Sequence, residues 1–195
     1  MRNFVPRFIL EQFAGGQHTG QFPAGVLFVD ISGFTALTET LFQHRTDGAE
    51  VLGETMATIF RPLVQETATY NGIIPLFAGD AFTAIFPVKN NDTTQAILQA
   101  WHTATAIQHY LTANGQTRIF PTRHGDFAIG VRIGLGMGLV HWGIPGQEGH
   151  HTFYFAGPAI EQAAQAQACA HALQAAVTLG DAPPEPAPVI LGRVQ

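Results

Sequence analysis

Charged side chains are scarce in this chain: Asp, Glu, Lys and Arg make up 12 % of its 195 residues, against 46 % hydrophobic ones. A surface so poor in charge predicts that part of it is covered by a partner. Basic runs are absent and the net charge is −5, which speaks against a nucleic-acid footprint of clustered Lys and Arg. There is one cysteine, Cys169. It excludes an internal disulfide framework and fits a reducing compartment. No apolar run approaches the ~20 residues that a membrane span needs. The opening MRNFVPRFILEQF has neither a long apolar centre nor a small-residue cleavage site. The expectation is a cytoplasmic globular protein with no membrane span and no nucleic-acid partner, long enough for one core.

What is present reads as one domain over residues 25–180, preceded by an arm and Gly-rich loop over 1–24 and followed by a proline-rich linker over 181–195. A buried strand is expected at 25–30 and a helix at about 34–44. A second helix at about 47–70 carries Val51, Leu52, Met56, Ile59, Phe60, Leu63 and Val64 at helical spacing. Pro62 predicts a kink or break inside it, and Asn71-Gly72 a stop. A hairpin over 73–86 turns at Gly79-Asp80. A helix is expected over 93–111 and a loop over 113–125. Strands at 127–135 and 139–142 are expected to form a hairpin across the glycines 136–138. A strand at 151–155, an Ala-rich helix at 159–176 and a last strand at 177–179 complete an α+β fold, a mostly antiparallel sheet with helices packed on it.

Two stretches concentrate the chemistry. VLFVDISGFTALTE (26–39) and PLFAGDAFTAIF (75–86) each set one aspartate, Asp30 or Asp80, at the tip of an apolar strand. If the strands are neighbours, the two carboxylates converge on one sheet edge, oriented by the sheet rather than by a loop. Oxygen ligands at fixed spacing suit magnesium, which keeps positions open for phosphate. Beside them, residues 31–35 offer backbone N–H groups at a helix start, and Gly33 permits close approach. The competing structural readings are a helix cap for Asp30 and a turn former for Asp80.

Other groups carry less. Of the nine histidines, His150 and His151 stand in an expected turn and His141 on a short strand without a carboxylate or Cys at ligand spacing, so surface or packing roles are expected. Cys169, in an Ala-rich helix, is expected to be a buried structural thiol. Trp101 and Trp142 are expected in the core or at an interface.

The segments FVDISGFT and FAGDAFTAIF, with Gly130-Val131-Arg132-Ile133-Gly134-Leu135 and Gly138, and Phe155-Ala156-Gly157 before the Ala-rich helix, resemble the class III nucleotidyl cyclases, the adenylate and guanylate cyclases. Phe4-Val5-Pro6, FVDISGFTALTE and LFAGDA look closest to the first catalytic domain of the soluble adenylyl cyclases and their bacterial relatives. The likeness runs over about residues 24–180 and implies the ferredoxin-like cyclase fold. It also implies two Mg2+ (or Mn2+) ions on Asp30, Asp80 and the Ile31 carbonyl. The backbone of Ile31, Ser32, Gly33, Phe34 and Thr35 would hold the β- and γ-phosphates of ATP, with Arg132 reaching them from its strand.

In that family a second cyclase domain completes the site. The positions that would supply those completing groups from this chain are Leu76 for the base-reading lysine, Tyr154 for its polar partner, Glu161 for the asparagine and Gln165 for the arginine. Leucine cannot hydrogen-bond a purine, and Glu161 would add charge of the wrong sign. The expectation is therefore the metal-bearing half of a cyclase, paired with a second domain, downstream in a longer chain, and inefficient as a homodimer. Leu76 and Ala164 also stand at the bicarbonate-responsive positions of the soluble enzymes, so that response is not expected. The alternative is an inactive cyclase-like regulatory or dimerisation module that binds nucleotide or a partner domain.

Overall fold

Alternation along one long strand sets the two layers of the protein, because successive side chains point to opposite sheet faces. This strand is β1 (Thr19–Ser32) in a computed structural model that describes residues 5–44, 47–147, 149–170, 175–177 and 190–194, the last two stretches as backbone. Leu27, Val29 and Ile31 face α2 (Phe34–Gln43), α3 (Gly48–Thr69) and α4 (Thr93–Tyr110) in one buried cluster. Ala24 and Val26 face the other side. There α1 (Arg7–Ala14) and α5 (Pro158–Cys169) close a second cluster with Ile85, Trp142 and Phe155.

The remaining strands are β2 (Phe77–Ala78), β3 (Ala81–Pro87), β4 (Thr112–Ala113), β5 (Gln116–Thr122), β6 (Gly125–Gly143), β7 (Gly146–Gln147), β8 (His150–Ala156), β9 (Ala175–Val177) and β10 (Ile190–Val194). Their order is β10-β8-β6-β1-β3-β2, and among the described residues β9 on β6 is the one parallel pair. The α+β expectation, a mostly antiparallel sheet with helices packed on it, is thus met.

Several elements differ from expectation. β1 begins six residues earlier, at Thr19 rather than 25. Pro23 is tolerated there because its missing donor faces the end of β3, where Val88 N–H donates to the Pro23 carbonyl. Helix α3 runs unbroken through Pro62. The carbonyl that Pro62 leaves without an N–H is that of Thr58, and the Tyr110 hydroxyl of α4 donates to it at 2.9 Å. Asn71, at φ 60°, ends the helix with paired bonds, Gly72 N–H to Thr67 and Asn71 N–H to Ala68. This is a Schellman stop with Asn in the left-handed position.

The loop expected at 113–125 is the hairpin β4-β5, turning at Asn114-Gly115 with φ 53° and 75°, followed by β5 pairing with β6. The hairpin expected across glycines 136–138 is a single strand, β6. Those glycines face α5, whose backbone lies so close that a methyl group on Gly134 would overlap the Ala163 carbonyl oxygen, and one on Gly136 that of Ala159. They serve close packing, not a turn. Helix α5 ends at Cys169, which is exposed, not buried as expected, because it occupies the final helical position before Ala170 turns extended. Of the last strand expected at 177–179, Val177 belongs to β9, and residues 178–189, including the linker segment 181–188, lie outside the described residues.

Candidate active site

Strand register sets the backbones of the two aspartates on adjoining strands at one end of the sheet. Asp30 stands opposite Ala81 of β3 and opposite Arg132 of β6. Asp80 occupies the two-residue turn between β2 and β3, behind Gly79 at φ 65°. A positive φ at the first central position is the II′ geometry that suits the twist of a hairpin. Ile31 N–H donates to the Asp80 carbonyl at 3.2 Å. Asp80 therefore continues the ladder opposite Ile31, with backbones about 5 Å apart by antiparallel spacing. In such a ladder the C=O of a residue points to the same neighbour as its N–H, so the Ile31 carbonyl faces the Asp80 turn.

Among the described residues, the Asp30 carboxylate is held on one oxygen. Its Oδ2 accepts from Arg132 Nη2 at 2.5 Å and from Gln167 Nε2 of α5 at 2.9 Å. Asp30 is 18 % exposed and Arg132 43 %, so the guanidinium tip reaches solvent over a mostly covered carboxylate. The Arg132 Nε is buried and has no hydrogen-bond partner among the described residues. The Asp80 carboxylate makes no hydrogen bond or ion pair with any described residue.

Helix α2 opens at the same edge. Gly33 is its N-cap at φ 90°, and no side chain caps the helix. Its first amides, at Phe34 and Thr35, lack intrahelical partners by the geometry of any helix start. Glycine is required at 33 for its φ and because a methyl group there would overlap the Ala128 carbonyl oxygen. Ser32 pairs with Gly130, where a methyl group would come 2.7 Å from its Oγ. All eight residues singled out from the sequence, Asp30, Ile31, Ser32, Gly33, Phe34, Thr35, Asp80 and Arg132, thus gather at one end of β1 and its neighbours.

Comparison with known proteins decides the family. The model of the adenylate and guanylate cyclase catalytic domain matches residues 18–180. The chain belongs to this family. Its cyclase domain is 31 % identical over 150 residues to adenylate cyclase type 10 of Homo sapiens, covering 75 % of this chain and 9 % of that protein, and 30 % identical to that of Oryctolagus cuniculus over the same shares. It thus spans about a tenth of the length of these curated relatives. The adenylyl cyclase CyaB from P. aeruginosa shares the fold at a TM-score of 0.64 and 20 % identity, over 82 % of this chain and 78 % of that one. The guanylyl cyclase domain of the RhoGC fusion protein from Blastocladiella emersonii does so at 0.62 and 19 %, over 82 % and 81 %.

Within this cyclase domain the donors at the edge are two carboxylates and a backbone carbonyl, hard oxygens that suit Mg2+ or Mn2+. No cluster of three or more His, Cys, Asp or Glu that could hold a metal forms anywhere among the described residues, and the edge offers two carboxylates. His18 and His151 pack with Phe13, and His44 stacks on His124, whose Nε2 lies 3.0 Å from the Asp47 carboxylate. Trp142 is in the core and Trp101 on the surface. A cavity of about 610 Å3 between α3, α4 and β5 is lined by neither aspartate and carries no acid pair. At the aspartate edge itself a smaller apolar hollow of about 270 Å3, lined by Met56, Ala57, Phe60, Phe77 and Gly79, adjoins the Asp80 turn. Leu76 is 42 % exposed, and Tyr154 lies against Gly143. Gln167 is the residue that sequence reasoning passed over. The available signal was a polar side chain on the apolar stripe of α5, in step with Ala159, Ile160, Ala163 and Ala166.

Proposed function

We propose that this domain is the metal-bearing half of a class III cyclase, converting ATP to cyclic AMP and pyrophosphate when a complementary cyclase domain closes over it. The observation that carries the reading is the shared edge of Asp30 and Asp80 beside an uncapped helix start. Asp30, Asp80 and the Ile31 carbonyl would hold two Mg2+ (or Mn2+) ions. Bound there, such cations supply activation of the attacking oxygen and neutralise the departing pyrophosphate. The amides of Ser32, Gly33, Phe34 and Thr35 would bind the β- and γ-phosphates, and Arg132 would swing from Asp30 onto them. The ribose 3′-oxygen then bonds to the α-phosphorus as the bond to the β-phosphate oxygen breaks.

Leu76, Tyr154, Glu161 and Gln165 supply none of the groups that read the base or steady the ribose, which is why a second domain is needed. We place it downstream in a longer chain. Preference for ATP over GTP rests on the likeness to adenylate cyclase type 10. None of the described helices is long and apolar enough to cross a membrane, and the proposed setting is cytoplasmic signalling.

The engagement of Asp30 by Arg132 and Gln167 favours one competing reading, a regulatory module in which that ion pair is structural. Calorimetric titration with a non-hydrolysable ATP analogue separates the two. Binding that requires Mn2+ or Mg2+ and disappears on Asp80→Ala supports the catalytic half. Metal-independent binding, or none, supports the module.

A further inference from the structure

Gln167 lies outside the aspartate motifs, yet among the described residues it is one of two side chains that grip the Asp30 carboxylate. The two grips differ in kind. Arg132 is a charged arm with 43 % of its side chain exposed. Gln167 is a neutral amide, 9 % exposed, on a helix with no freedom to shift toward the sheet. The backbone of α5 meets Gly134 so closely that a methyl group on that glycine would overlap both the Ala163 carbonyl oxygen and the Gln167 nitrogen. A carboxylate oxygen only accepts, so the amide presents its NH2 to Asp30 and its orientation is determined.

Resting on the proposed metal role of Asp30, the consequence is an unequal response to a cation. A divalent ion on the free oxygen of Asp30 repels the guanidinium beside it but not a neutral amide. Arg132 is then released toward the triphosphate, while the amide can go on donating to Oδ2. We infer that Gln167 is the positioning residue that keeps the Asp30 carboxylate aimed while Arg132 is exchanged for a divalent cation. Outer partners of this kind orient ligating carboxylates, and their loss weakens metal binding.

The test is Mn2+ titration of the purified protein followed by the electron paramagnetic resonance of free Mn2+, with no nucleotide or turnover. The chains compared are wild type, Asp30→Ala and Gln167→Met, which retains length and burial but cannot donate. Gln167→Met is expected to weaken Mn2+ binding by about 10- to 100-fold with little change in the urea midpoint. Asp30-dependent binding that Gln167→Met leaves unchanged overturns the inference alone. No Mn2+ binding by wild type, or binding indifferent to Asp30→Ala, overturns the metal reading and the inference with it. Should the methionine variant fold poorly, the wild-type Gln167 side-chain amide can be followed by NMR during Mg2+ addition. A shift without loss of its hydrogen-bonded position supports the inference, and release to a free-amide position overturns it.

Discussion

A carboxylate in a tight turn can be a solvated turn former or a ligand awaiting its cation, and Asp80 offers a clean way to tell these apart. Its side chain has no partner among the described residues, so nothing in the fold is lost when its charge is removed. Asn is equally at home in the turn. Asp80→Asn is therefore expected to leave the unfolding free energy within about 0.5 kcal/mol of wild type while metal-linked binding of an ATP analogue falls at least about tenfold. Calorimetry and equilibrium unfolding check the two halves. Tyr110 gives the opposite profile. Its hydroxyl satisfies the Thr58 carbonyl that Pro62 leaves free, so Tyr110→Phe should cost about 1 kcal/mol in a urea melt and leave nucleotide binding untouched. The places of Asp80 and Gly33, at a hairpin turn and a helix start, were legible in the sequence because each residue type is suited to that backbone position. The ties Tyr110–Thr58 and Gln167–Asp30 were not, since each joins residues far apart in the chain and neither partner type demands the other.

At the scale of elements, glycine was the residue type that misled. A cluster of glycines reads as a turn when counted, but Gly134, Gly136 and Gly138 recur at a spacing of two, the repeat of one strand face. That pattern marks a strand with a backbone pressed against it, and α5 is that backbone. The reverse error befell β4 and β5, where Asn114-Gly115, a dipeptide suited to a two-residue hairpin, stood in a segment read as loop. Local preference alone makes Pro62 a break, whereas α3 is held by Ile59 and Leu63, both fully buried. A direct test of the packing account is Gly134→Ala. Neither the Ala163 carbonyl nor the Gln167 nitrogen can give way without moving α5, so overpacking of about 1–3 kcal/mol is expected in chemical denaturation. The same displacement draws Gln167 from Asp30. Mn2+ affinity should therefore fall together with stability in Gly134→Ala, whereas Gln167→Met should lower affinity alone.

At the scale of the whole molecule, the proposed half-site needs a partner at the aspartate edge. Two faces of the sheet are covered by helices, yet the edge bearing Asp80 has an exposed Leu76 and Phe77 beside it and an apolar hollow behind its turn. The groups that would recognise a base or offset charge on a departing pyrophosphate are missing from the positions where a homodimer would need them, and Glu161 would bring a carboxylate toward the phosphates instead. On the proposed half-site reading, pairing two copies of this chain would duplicate the metal half and leave the other half absent. The expected outcome is that the purified chain alone forms cyclic AMP from ATP and Mn2+ at a rate near background at every protein concentration. Addition of a cyclase domain that carries the lysine, asparagine and arginine set should raise the rate in proportion to complex formed, and Asp30→Ala or Asp80→Ala in this chain should abolish that gain. The arginine of the added domain is the control on the partner side: its removal should silence the mixture without weakening association, because that group acts on the charge developing in the transition state rather than on the interface. A homodimer as active as the mixture would show that Glu161 and Gln165 suffice, and the half-site account would fail.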